Sequence, residues 1–150
     1  MIKQENLSIS DLVVIGAANL FNLIMVGVFY LRTRDVYHSL VTGYIWAGLI
    51  ILLAVGAIIN LQAKRGLWFS ALPLLFVGFL IVELVLDYIL QLDFRSTGLL
   101  IPYLILYYLS ILGMIGYAFL AEKKLGAVTL ATYFLSQIAA IYSYIQVGHG

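Results

Sequence analysis

The chain contains no cysteine, which excludes disulfides, thiolate metal sites, iron–sulfur clusters and thiol redox chemistry together. Charge is also scarce: Asp, Glu, Lys and Arg supply 10% of the 150 residues, where a soluble domain carries about 25%. The eight Lys and Arg residues are scattered between apolar runs, and the net charge is +1. No basic stripe exists to follow a phosphate backbone, so nucleic acid is not expected as a partner. The two histidines, His38 and His149, fall in connecting positions with no ligand spacing, so haem or metal ligation is not expected. Walker loop, dinucleotide-binding glycine pattern, HExxH and nucleophile elbow are all missing, and no lysine lies mid-run to carry a Schiff base. The expectation is therefore no catalytic residue, no cofactor and no metal, with an enzyme the less favoured class.

What the chain has instead is apolar surface. Hydrophobic residues make up 64% of it, against about 45–50% in soluble domains, more than a water-soluble core of this length could hide. Five runs approach or exceed the roughly 20 apolar residues that cross a bilayer, at 12–31, 39–61, 67–90, 98–121 and 126–147. A signal peptide has an apolar core of only about 7–15 residues, so the first run is read as a span. Between the runs lie short charged breaks, Arg32 to Asp35, Gln62 to Gly66, Gln91 to Thr97 and Glu122 to Lys124, placing charge where hydrocarbon could not solvate it. No stretch is long enough to act as a linker. The reading is all-α: residues 1–150 form one transmembrane domain, a polytopic integral membrane protein built as an antiparallel bundle of five helices.

Five spans put the termini on opposite sides. Lys3, Lys64, Arg65, Lys123 and Lys124 gather on the N-terminal side, and Arg32, Arg34 and Arg95 on the other. The positive-inside rule then predicts a cytoplasmic N-terminus and an extracytoplasmic C-terminus. Ser10 is expected to cap the first helix, and Ser96 or Thr97 the fourth. Pro102 falls near the opening turn of the fourth helix, where it is tolerated. Pro73 lies about two turns into the third, where it removes a backbone hydrogen bond.

Helices in lipid pack through small residues. Gly43, Ala47, Ala54 and Ala57 form such a stripe on the second helix, and Gly113 and Gly116 a shorter one on the fourth. Of the 11 tyrosines, Tyr30 and Tyr37, together with Trp68, suit interface anchors. Tyr107, Tyr108 and Tyr133 lie deeper, where a hydroxyl needs a partner, and are expected to face inward.

The feature a structural bundle does not need is Glu83 and Asp87, two carboxylates four residues apart on the third helix and hence on one face. A carboxylate at a helix centre costs about 2.5–3.5 kcal/mol on the insertion scale, so intramembrane acids read as functional. Asp87 has a structural alternative, pairing with Arg32, Arg34 or Arg95. Counting depth along the other helices brings Tyr44, Tyr103, Tyr142 and Tyr144 to a similar level, with Asn19, Asn22, Ser136 and Gln137 nearer the middle. Tyr103, Tyr107, Ser110 and Tyr117 share one face of the fourth helix, and Thr129, Tyr133, Ser136 and Ser143 one face of the fifth. The candidate ligand- or proton-binding set is Glu83, Asp87, Tyr103, Tyr107, Asn19, Asn22, Tyr133 and Gln137. Asparagines placed like Asn19 and Asn22 more often act as hydrogen-bonding glue between helices than bind substrate. Carboxylates among tyrosine rings suit a proton, a metal cation or an organic ammonium, the last through charge and cation–π contact, and two close acids can share a proton that exchanges with a cation.

In size the chain resembles the tryptophan-rich sensory, translocator-type membrane proteins, although it has two tryptophans and two prolines where that family has many. The acids among aromatics resemble sterol-isomerase-like membrane proteins, with no motif that aligns. No residue role is carried over from either. The first expectation is a protein that binds or transports a proton, a cation or a cationic amphiphile through an acidic, tyrosine-lined site in its outward half. The second is a non-catalytic accessory subunit or scaffold, and the third a lipid-modifying enzyme with Glu83 and Asp87 as acid and base. Expected partners are membrane lipids, a small cationic or amphiphilic ligand, and further copies of the chain or a larger membrane complex.

Overall fold

The computed structural model describes residues 7–34 and 39–148, and the side chains of all of these except 39 and 40. Lys3, Tyr37, His38 and His149 lie outside the described residues. Five helices form: α1 (Ile9–Arg32), α2 (Ser39–Gln62), α3 (Trp68–Glu83), α4 (Leu100–Ala121) and α5 (Lys123–Val147). A π-helical turn, Leu84–Ile89, continues α3 without a break, and a short 3₁₀ turn, Phe94–Ser96, leads toward α4. Each of the five segments, taking α3 through to Ile89, is long and apolar enough to cross a membrane. No strand occurs among the described residues.

The helix starts differ from the sequence expectation for local reasons. Ser8, not Ser10, caps α1: its hydroxyl accepts the Asp11 N–H at 3.2 Å while the Asp11 carboxylate accepts the Ser8 N–H at 2.9 Å, a reciprocal capping box. Ser10 instead donates to Asn60 on α2 at 2.8 Å. Neither Ser96 nor Thr97 caps α4. Leu99 holds that position without a side-chain bond, and the Thr97 hydroxyl accepts the Leu99 N–H at 3.3 Å. Lys123 and Lys124, expected in a loop, open α5, because Glu122 alone makes the turn with extended backbone (φ −158°, ψ 133°). The hairpin is that tight because Gly126 leaves room for the Phe119 ring, which a Cβ there would strike.

The centre is packed by aromatic and aliphatic side chains. Phe21 of α1 meets Trp46 of α2 and Phe76 of α3 at ring-centroid distances of 4.9 and 5.1 Å, and Leu53, Leu80 and Met114 are buried around them. Within the small-residue stripe, Ala57 is fully buried and Gly43 lies under Tyr88, whose ring would be 2.9 Å from an added Cβ. Gly113 packs against Leu72, but nothing approaches Gly116. The close α1–α2 approach is at Gly56 under Val14, outside the expected stripe.

Candidate functional site

Polar side chains gather in three places. The first is the seam between α1 and α5. Asn19 donates to the Thr129 hydroxyl at 3.0 Å and accepts from Thr132 at 2.8 Å, and Asn22 donates to Thr132 at 3.0 Å. Asn19, Thr129 and Thr132 satisfy one another as interhelical glue, and Asn22 joins them through its amide N–H while its buried Oδ1 has no partner among the described residues. The structure thus sets Asn19 and Asn22 apart from the acids.

The second gathering was not anticipated. Asp11, at the start of α1, is fully buried; its Oδ1 accepts Arg65 at 2.6 Å and the Tyr117 hydroxyl at 2.8 Å. Arg65 also donates to Ser8 at 2.8 Å, and its guanidinium stands 4.2 Å from the Phe69 ring centroid. It reaches inward because Lys64 adopts positive φ (51°) as the chain leaves α2, with the Arg65 N–H closing on the Asn60 carbonyl at 3.1 Å. Asn60 ties the cluster to α3. Pro73 has no N–H for the carbonyl four residues back, which is that of Phe69, and the Asn60 amide donates to this carbonyl at 2.8 Å and to Tyr117 at 3.0 Å. Pro73 is thus compensated by a neighbouring helix. The network joins the start of α1, the end of α2, the start of α3 and the end of α4, and closes that end of the bundle.

The third lies at the opposite end and contains the expected acids. A cavity of about 570 Å³ opens among all five helices, and its wall includes Glu83, Asp87, Tyr103, Tyr107 and Gln137. Five of the eight expected site residues thus come together; Asn19, Asn22 and Tyr133 are not in the wall. Glu83 is buried and its Oε2 accepts the Tyr103 hydroxyl at 2.5 Å. Tyr103 is steadied by Phe94 and Phe79, with ring centroids 4.7 and 5.8 Å away. Gln137 of α5 donates to the Tyr107 hydroxyl of α4 at 3.1 Å.

Asp87 resolves to one arginine. Arg95 donates two parallel hydrogen bonds to its carboxylate, 2.9 and 2.7 Å, the bidentate geometry that fixes orientation as well as charge. Burial disfavours charge on Arg95, but its bonds and attraction to Asp87, with further attraction to Glu83, outweigh that and hold its pKa above the ordinary guanidinium value. The π turn places this pair: its wider hydrogen-bonding loop, such as the Leu90 N–H to the Val85 carbonyl at 2.8 Å, replaces α geometry where Asp87 sits. Such turns recur at functional sites. Positive φ at Gln91 (49°) then turns the chain out of the helix.

Some expected members fall elsewhere. Tyr44 and Tyr142 are exposed, Tyr108 and Tyr144 stand at the cavity's edge rather than inside it, and Tyr133 is partly buried against the hydrophobic core. Ser110 donates to the Leu75 carbonyl at 3.3 Å and Ser136 to the Tyr133 carbonyl at 2.8 Å, so neither hydroxyl is spent on the cavity. Tyr30 and Trp68 are exposed near helix ends, as anchors would be. Sequence reading missed Trp46 and Arg32 as wall residues. Depth counting of the kind that found the tyrosines would have reached Trp46. Trp46 Nε1 and Ser143 Oγ, both on wall residues, have no hydrogen-bond partner among the described residues. No group of three His, Cys, Asp or Glu side chains converges as metal ligands would, again among the described residues. The chain matches no protein family, curated protein or solved structure at a significant level.

Proposed function

We propose that the protein is an antiparallel five-span membrane protein, with its N-terminus cytoplasmic, that binds a cationic amphiphile in the cavity beside Glu83. The supporting observation is the cavity of about 570 Å³ with that one buried carboxylate in its wall. Size favours an organic ligand over a bare ion: drug-sized sites measure about 300–1,000 Å³, whereas a water occupies about 30 Å³. Charge narrows it further. Asp87 is matched by Arg95, and Arg32 also lines the wall, which disfavours a multiply charged metal and leaves Glu83 as the acid for a single ammonium. Tyr103, Tyr107 and Trp46 in the wall offer ring faces to such a group. Passage through the bundle would require the Asp11 end to open, so binding rather than transport is the proposal. A scaffold held by polar glue would be served by the Asn19 and Asn22 bonds alone and has no use for the cavity.

The test is equilibrium binding of hexadecyltrimethylammonium to the protein in lipid vesicles, with hexadecanol as the uncharged control. A quaternary ammonium has no N–H to donate, so its attraction to the carboxylate is coulombic, about 3 kcal/mol at roughly 5 Å with an effective dielectric of about 20. After desolvation losses, Glu83→Gln should weaken ammonium binding on the order of ten- to a hundred-fold and leave hexadecanol unchanged. Equal ammonium binding by wild type and Glu83→Gln would refute the proposal.

A further inference from the structure

Among the described residues, the broadly exposed part of the cavity wall falls along one seam. Among its lining residues, those that are also broadly exposed are Leu104 (37%), Tyr108 (41%), Tyr144 (60%) and Ile141 (61%), two from α4 and two from α5. A residue that both lines a cavity and faces outward marks its edge, so the edge runs between these two helices. The connection explains why. At the far end α4 and α5 are joined by Glu122 alone and locked by Phe119 over Gly126. Moving away from that turn, the side-chain hydrogen bond between the two helices among the described residues is Gln137 to Tyr107. Beyond it the seam is open.

The opening lies at hydrocarbon depth. With a rise of about 1.5 Å per residue, the four edge residues sit roughly 4 to 14 Å from the midpoints of their helices, inside the half-thickness of about 15 Å of a bilayer core. All four side chains are apolar or aromatic. Water-borne cations would instead meet the neutralised Asp87–Arg95 pair and the repelling charge of Arg32 among the wall residues near the helix ends. On the binding reading above, we infer that the ligand reaches Glu83 sideways from the bilayer, between α4 and α5. Its class is therefore an amphiphile already dissolved in lipid, its ammonium drawn in to Glu83 and its hydrocarbon chain following between Leu104 and Ile141 into the cavity.

The chain is suited to a direct test. It has two tryptophans and no cysteine, so Trp68→Phe leaves the cavity residue Trp46 as the sole indole, and a single introduced cysteine is uniquely reactive. Ile141→Cys in that background is alkylated as the folded protein in detergent micelles, where water reaches the thiol and lets it ionise, with N-benzylmaleimide to plug the seam, and is then reconstituted in vesicles. The probe is an alkyltrimethylammonium carrying bromine on its chain, which quenches Trp46 when bound. The unplugged protein should quench saturably, and plugging should slow the onset at least ten-fold while the final extent is retained. Leu104→Cys, plugged the same way, should behave alike, and melting of each protein before and after alkylation shows that the fold is intact. Unchanged onset in both plugged proteins would overturn the lateral route while leaving binding standing. A reduced final extent with no change of rate would put Ile141 inside the site rather than at its mouth, and overturns the route too. Absence of saturable quenching in the unplugged protein would remove the binding reading and this inference together.

Discussion

Arg65→Met should be the most damaging single change at the Asp11 end. Asp11 and Arg65 have side chains 1% and 12% exposed, so water can do little for an acid that loses its partner. Removing one member of a buried pair costs about 3–5 kcal/mol, mostly as an uncompensated buried charge. The structure argues for the lower limit. Asp11 would lose the 2.6 Å contact to Arg65 but keep the Ser8 N–H at 2.9 Å, the Ser8 hydroxyl at 2.8 Å and the Tyr117 hydroxyl at 2.8 Å. A loss of about 3 kcal/mol is a factor on the order of a hundred in the folded-to-unfolded ratio. The assay is a double-mutant cycle read by equilibrium unfolding in bicelles, using Arg65→Met, Asp11→Asn and the double variant. Because the penalty is one of stranded charge, the double variant should be less destabilised than Arg65→Met and fall short of the sum of the singles by about 1–3 kcal/mol, a coupling typical of residues in one network. If Arg65→Met costs under about 1 kcal/mol, or the double variant costs the sum of the singles, the pair is not the closure argued for here.

Two other outcomes follow from the same contacts. Asn60→Leu strands the Phe69 carbonyl that Pro73 leaves free, which should cost about 1–3 kcal/mol; adding Pro73→Ala, which restores an N–H to that carbonyl, should recover part of the loss in the same unfolding assay. Asn19→Val should lower stability by only about 0.6–1.7 kcal/mol, as interhelical hydrogen bonds in membranes do, and leave hexadecyltrimethylammonium binding unchanged, since Asn19 bonds to Thr129 and Thr132 and does not line the cavity.

The helices were legible because an apolar run needs no partner to declare itself: each of the five coincides with a helix, within a few residues at its ends. The ends were not, because caps and turns depend on single backbone angles. Nothing in the composition of Glu122 to Lys124 distinguishes a three-residue loop from the one-residue turn that forms. The acids were legible since Glu83 and Asp87 stand out in an apolar helix, while depth counting pointed to Tyr103 and Gln137 and the shared face of the fourth helix to Tyr107. The Asp11 network was not, because each member lies near a helix end, where a charge or an amide is ordinary. Only the meeting of four helix ends at one level makes Asp11, Asn60, Arg65 and Tyr117 a cluster. Asn19 and Asn22 looked like site residues for the opposite reason: their depth was right, but their partners, Thr129 and Thr132, lie in the direction that depth alone does not specify.

The π turn after Glu83 has a consequence for the arithmetic of the third span. Its hydrogen bonds reach five residues back rather than four, so Leu84–Ile89 accommodates one residue more than a regular helix would need there. Each residue of an α-helix advances the azimuth by about 100°. The wider turn absorbs that step, so deleting one of Leu84, Val85 or Leu86 would regularise the helix and leave Asp87 near its present bearing, whereas straightening the turn with every residue kept would swing the Asp87 carboxylate away from Arg95. The π turn thus works as a phase absorber, and among homologous sequences a gap at that position is expected to be compatible with the aspartate–arginine clamp.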